Sequence, residues 1–112
     1  MNDKSSLQVS DDVAAAGATA PRVSLQSMKD KIAAEYVFTA DKAVSGAPVV
    51  DSLKLLTVCI IVMKNGFTVI GKSAPASPEN FDAEKGATFA REDAIRQIWP
   101  LEGYALREKL AA

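Results

Sequence analysis

The stretch SLKLLTVCIIVMKNGFTVIG, Ser52 to Gly71, is the longest apolar run in the chain, and its reading decides the fold. One reading is a β-hairpin, because Asn65-Gly66 between apolar runs is the strongest short-range hairpin signal. The other is a single helix. Leu53, Leu56, Ile60, Met63, Phe67 and Ile70 follow one another at spacings of 3, 4, 3, 4 and 3, an unbroken helical stripe. A half-buried strand alternates apolar and polar residues, and Val58 to Met63 does not. A strand buried on both faces would also lack alternation, so the hairpin stays open as the alternative. Gly66 inside a helix costs ~1 kcal/mol against alanine, which tertiary packing can override. The spacing predicts a helix, and with it an all-α fold; an α+β fold with a hairpin at Asn65-Gly66 is the alternative.

Upstream, Leu25, Met28, Ile32, Tyr36 and Val37 repeat at helical spacing behind Ser24, a plausible N-cap, which predicts a first helix ending near Phe38 to Ala40. Gly46 and Pro48 then mark a loop. Residues 1–22 are rich in Ser, Asp and Ala and read as a flexible leader, leaving 23–112 as a single helical domain. Downstream, Gly71 stands where a helix C-terminal glycine belongs. Ser77-Pro78-Glu79 reads as the start of the next helix. Ala83, Ala87, Ala90, Ala94 and Ile98 make a stripe of small side chains along it, which predicts close packing on the central helix as an αα-hairpin. Pro100 predicts a kink rather than an end, because Leu101, Ala105 and Leu110 carry the periodicity on. These helices cannot wrap all of Ile61, Phe67, Phe89, Ile95, Trp99, Leu101 and Tyr104, so a homo-oligomer is expected.

With 112 residues, 48% hydrophobic and 24% charged, the chain has the composition of one small globular domain. A net charge of −1 argues against coating DNA or RNA, which needs a basic stripe, but leaves room for a small anionic ligand. The absence of histidine removes Ser-His-Asp and Cys-His catalysis and the usual zinc sites. The single cysteine, Cys59, reads as a small buried hydrophobe. Lys54, Lys64 and Asn65 interrupt the apolar run and speak against a membrane span, and the N-terminus lacks a signal-peptide pattern. A cytoplasmic protein without a cofactor is expected.

Glu79, Asp82 and Glu84 are explained by the first turns of a helix rather than by metal or acid–base chemistry. Gly71-Lys72-Ser73 echoes the end of a phosphate loop but lacks its first glycine. Binding is better served. Tyr36, between Glu35 and Val37-Phe38, offers an aromatic face on which a nucleobase can stack, though a core or interface tyrosine is the plainer reading. Lys54, at the start of the central helix, could meet a phosphate beside free amides, or be a surface lysine. Lys72, Asn80 and Arg91 add donors near the following connection.

The segments NGFTV (65–69), SPENFD (77–82) and IWPLEGYALREKL (98–110), with EYVFTA (35–40) ahead of them, together resemble a family of small tailed-phage proteins described as gene-product-49-like. The likeness runs from about Lys31 to Leu110. It implies a relation to the phage anti-CBASS sponges, which sequester the cyclic di- and trinucleotides that signal infection in bacteria. By that resemblance the chain would be a homohexamer of helical protomers, one short helix and two long antiparallel ones, working in the cytoplasm of the infected host. Its ligand would be held and not cut. Tyr36 would stack on a base and Lys54 would meet phosphate, with Arg91 and Arg96 at a second, trinucleotide pocket. A small helical phage protein that binds a host protein is the alternative.

Overall fold

The computed structural model describes residues 5–45 and 50–112, and within them the fold is α+β rather than all-α. The deciding stretch is a hairpin: β2 (Thr57–Met63) and β3 (Thr68–Ser73), entered through a short 3-10 helix at Asp51–Lys54. Asn65-Gly66 makes the turn. The Gly66 amide donates to the Met63 carbonyl at 2.8 Å, the Met63 amide to the Phe67 carbonyl at 2.8 Å, and the Phe67 amide to Asn65 Oδ1 at 2.9 Å. Gly66 has φ +90°, a conformation open to glycine and strained for residues with a Cβ. The predicted central helix is therefore corrected. Thr57, Cys59, Ile61 and Met63 point to the core, while Val58, Ile60 and Val62 lie half-buried on the other face. Both faces are largely apolar, so the period of two is hidden and the leucine and isoleucine spacing mimics a helix.

The predicted first helix is corrected too. Ser24 does cap a helix, its Oγ accepting from the Ser27 amide at 3.1 Å, but that helix, α2, covers only Leu25–Lys29. Ile32–Thr39 is strand β1, in keeping with the aromatic and β-branched run Tyr36-Val37-Phe38-Thr39. β1 pairs antiparallel with β2, Tyr36 opposite Ile60 and Phe38 opposite Val58, with an irregularity between Ile32 and Ala34. β3 pairs on the other side of β2, Ile70 opposite Ile60 and Lys72 opposite Val58, giving a three-stranded sheet in the order β1-β2-β3.

One long helix, α3 (Ala83–Ala111), covers one face of this sheet, lying mainly on β3 and β2. It begins at Asp82, whose carboxylate accepts from the Lys85 amide at 3.1 Å, and not at Ser77, which instead leads a 3-10 turn at Pro78–Asn80. It continues through Pro100 to Ala111. The small-residue stripe does allow close approach, but to a strand: the predicted αα-hairpin is replaced by Ala90 and Ala94 packed on Gly71. Gly71 is thus not a helix C-cap. Leu25, Met28, Cys59, Ile61, Ile95 and Ile98 fill the core between sheet and helices.

The segment read as a flexible leader contains helix α1 (Ser6–Ala15), capped by Ser5. Its Leu7 enters the core, and its Asp11 accepts from the Leu25 amide and from Arg22, each at 2.9 Å. The centre of the loop marked by Gly46 and Pro48 lies outside the described residues.

Candidate functional site

The sheet has one covered and one open face. Strand alternation sends Ala34, Tyr36 and Phe38 of β1, Val58, Ile60 and Val62 of β2, and Thr68, Ile70 and Lys72 of β3 away from α3. Three aligned rows result: Phe38–Val58–Lys72, Tyr36–Ile60–Ile70 and Ala34–Val62–Thr68. Tyr36 is 58% exposed and Ile70 57%. Val58, Ile60 and Val62, in the central strand, are only half-covered. An antiparallel sheet usually presents polar residues to water on its free face. Here that face is an apolar floor carrying one tyrosine and one lysine.

Of the six binding candidates read from sequence, the structure brings two onto this face; Asn80 ends the 3-10 turn ahead of α3. Tyr36 and Lys72 are separated by one strand and one register step, roughly 12 Å between their backbone positions. Gly71-Lys72-Ser73 lies within β3, so it forms no phosphate loop. Lys54 sits in the 3-10 helix before β2, its Nζ 3.4 Å from Asp51 Oδ1. Arg91 is on α3, on the covered side, with Nε 2.5 Å from Glu35 Oε1. Arg96 is bound to the Ser6 hydroxyl of α1. Neither arginine joins Tyr36 and Lys72.

Residues that sequence reasoning did not single out complete the face: Phe38, Val58, Ile60 and Ile70. Phe38 and Ile70 lie in EYVFT and TVIGK, and Val58 and Ile60 in TVCII, where apolar residues on both faces hide the period of two. Cys59 lies under the same strand on the buried side, where burial, reinforced by the Glu35 carboxylate, pushes its thiol up and away from the reactive thiolate.

A second concavity of about 500 Å³ opens between the β2–β3 turn and α3, walled by Met63, Phe67, Ile98 and Leu101. At its rim Lys31 and Glu102 neutralise each other, Nζ to Oε2 at 2.5 Å. Among the described residues no group of three or more His, Cys, Asp or Glu gathers as metal ligands would. Among them, too, no helix is long and apolar enough to cross a membrane.

The fold is a small two-layer α+β domain with one open, largely apolar sheet face. The chain belongs to the phage protein (N4 Gp49/phage Sf6 gene 66) family, whose pattern matches residues 23–110. No curated protein and no solved structure matches the chain.

Proposed function

We propose that this phage protein binds cyclic di- or trinucleotides on its open sheet face, holding them without cleavage and so removing a CBASS-type signal in the cytoplasm of the infected host. The observation that carries the reading is the pairing of an exposed Tyr36 with Lys72 on an apolar floor. A base stacks on an aromatic ring and packs on the flat apolar surface, and a nearby ammonium meets phosphate. The helical scaffold implied by the resemblance is replaced by a sheet, so Tyr36 and Lys72, rather than Lys54, Arg91 or Arg96, are the ligand residues of this reading. The chain works as a homo-oligomer, in keeping with the apolar area that the protomer leaves uncovered. Sequestration needs no acid–base or nucleophilic group, which suits a chain with no histidine and a buried cysteine.

A second reading has the same face grip a host protein. It is favoured by the excess of apolar groups, Phe38, Val58, Ile60, Val62 and Ile70 against a lone lysine.

Isothermal titration calorimetry against a panel of cyclic di- and trinucleotides tests the first reading. Binding is expected, with the nucleotide recovered intact on denaturation, and Tyr36→Ala should weaken it roughly 5- to 150-fold, since stacking is worth about 1–3 kcal/mol per base. No heat with any member of the panel overturns the ligand reading and leaves the host protein, to be sought by pull-down from host lysate.

A further inference from the structure

The two edges of the sheet are treated differently. On β3, the outward-facing amide of Lys72 donates to Asp93 Oδ2 at 2.9 Å, and the outward-facing carbonyl of Ile70 accepts from Gln97 Nε2 at 2.7 Å. Side chains from α3 therefore occupy backbone groups with which another strand would have to pair, a recognised way of protecting an edge. β1 has no such cover among the described residues. The Ala40 amide bonds to the Leu56 carbonyl at 2.8 Å, so by the alternation of antiparallel ladders Tyr36 and Phe38 turn their backbone groups toward β2. Glu35, Val37 and Thr39 then turn theirs outward. No strand is paired on that side among the described residues, and Val37 is 45% exposed.

We infer that β1 is a self-pairing edge, joining antiparallel to β1 of a second copy with Val37 on the twofold axis, so that two protomers share one six-stranded sheet. The register is selected by the sequence of the strand itself. Outward-facing residues must pair with outward-facing residues, so the dyad can move only in whole-residue steps along β1. A dyad on Glu35 puts two carboxylates face to face. A dyad on Phe38 leaves only Val37 to Thr39 facing one another, because the 3-10 helix begins at Ala40. A dyad on Tyr36 draws Ala33, within the irregular stretch, into the ladder. The dyad on Val37 avoids all three. It sets Glu35 against Thr39, and on the open face it sets Tyr36 against Phe38 of the second copy, twice. Such cross-strand aromatic pairs stabilise sheets, and like charges directly opposite destabilise them.

The pairing extends the open face across the axis and places two Tyr36–Phe38 pairs at its centre. This inference rests on the homo-oligomer part of the reading above and is independent of the ligand.

Sedimentation velocity on the full chain and two variants tests it, with circular dichroism confirming the fold of each. In Val37→Pro the lost amide is an outward one, so β1–β2 bonding survives while the edge loses a donor. In Val37→Lys two ammonium groups meet on the axis. Losing this contact should reduce a twofold dimer to single protomers, and break a larger assembly into smaller units, in either variant. A native-like variant that keeps the parent mass overturns the inference and leaves the oligomer standing; if Val37→Pro does not fold, Val37→Lys, at a half-exposed position, decides the matter. A parent chain that sediments as a single protomer overturns both the inference and the oligomer.

Discussion

Gly71 on β3 lies directly against the backbone of α3: a Cβ at that position would collide with the Ala90 carbonyl oxygen and stand 2.9 Å from Ala94 Cα. Neither neighbour is a side chain that can turn aside. Gly71→Ala should therefore push helix and sheet apart, destabilising by at least about 3 kcal/mol, the upper part of the usual overpacking range. Thermal unfolding reads this as a fall of more than about 10 °C in Tm. A fall of a degree or two would mean that the two layers are not in such close contact.

Thr57 points the other way. Its hydroxyl is buried against Gly86 and has no hydrogen-bond partner among the described residues. Thr57→Val replaces a desolvated, unpaired hydroxyl with a methyl group of similar size. Stability should rise by about 1 kcal/mol, because an unsatisfied buried group is penalised by roughly 1–3 kcal/mol. Chemical denaturation checks the sign, and a loss of stability would show that the hydroxyl has a partner.

The N-terminal helix supplies the pH prediction. The bond from Arg22, reinforced by the Leu25 amide, holds the Asp11 carboxyl below its ordinary value of 3.8. A carboxyl depressed on folding stabilises the native state fully above its unfolded value, and loses that contribution as pH falls through the folded one. Asp11→Asn should thus be less stable than the parent at pH 7, by about 1.5–3 kcal/mol for a bond to a charged group. The two stability curves should converge below pH 3.8. Parallel curves across that window would show that Asp11 is not held by Arg22.

The protected edge of β3 can be opened. Asp93→Ala combined with Gln97→Ala frees the Lys72 amide and the Ile70 carbonyl to pair with another chain. Larger assemblies or visible aggregation, measured by light scattering at unchanged circular dichroism, are expected from a newly exposed edge. A double variant with the scattering of the parent would mean that these side chains guard nothing.

Part of the outline was legible from residues: the Ser24 cap, the long C-terminal helix continuing past Pro100, and the fact that its alanines permit close contact. The partner of those alanines was not. Strand β2 was hidden because Val58, Ile60 and Val62 are apolar although they do not face α3. Had that outer face been polar, the alternation of Thr57, Cys59, Ile61 and Met63 would have stood out and the 3, 4, 3, 4, 3 spacing would have been broken. The feature that concealed the strand is thus the feature that marks the proposed binding surface. Asn65-Gly66, together with the β-branched density of Val58-Cys59-Ile60-Ile61-Val62, was the sequence signal for the hairpin, and it outweighs a helical stripe that Gly66 interrupts. Of the site, Tyr36 was visible as an aromatic among apolar neighbours. Its placement on the same face as Lys72 depends on strand register, which no local spacing reveals.

The open sheet face is the proposed seat of binding, and amide chemical-shift mapping by nuclear magnetic resonance tests that most directly. Titration with a cyclic dinucleotide should perturb the amides around Tyr36, Val58, Ile60, Ile70 and Lys72, and leave those of Tyr104 and Arg107 on α3 in place. Perturbations gathered on α3, or in the cleft beside Phe67, with the sheet face unmoved, would contradict it.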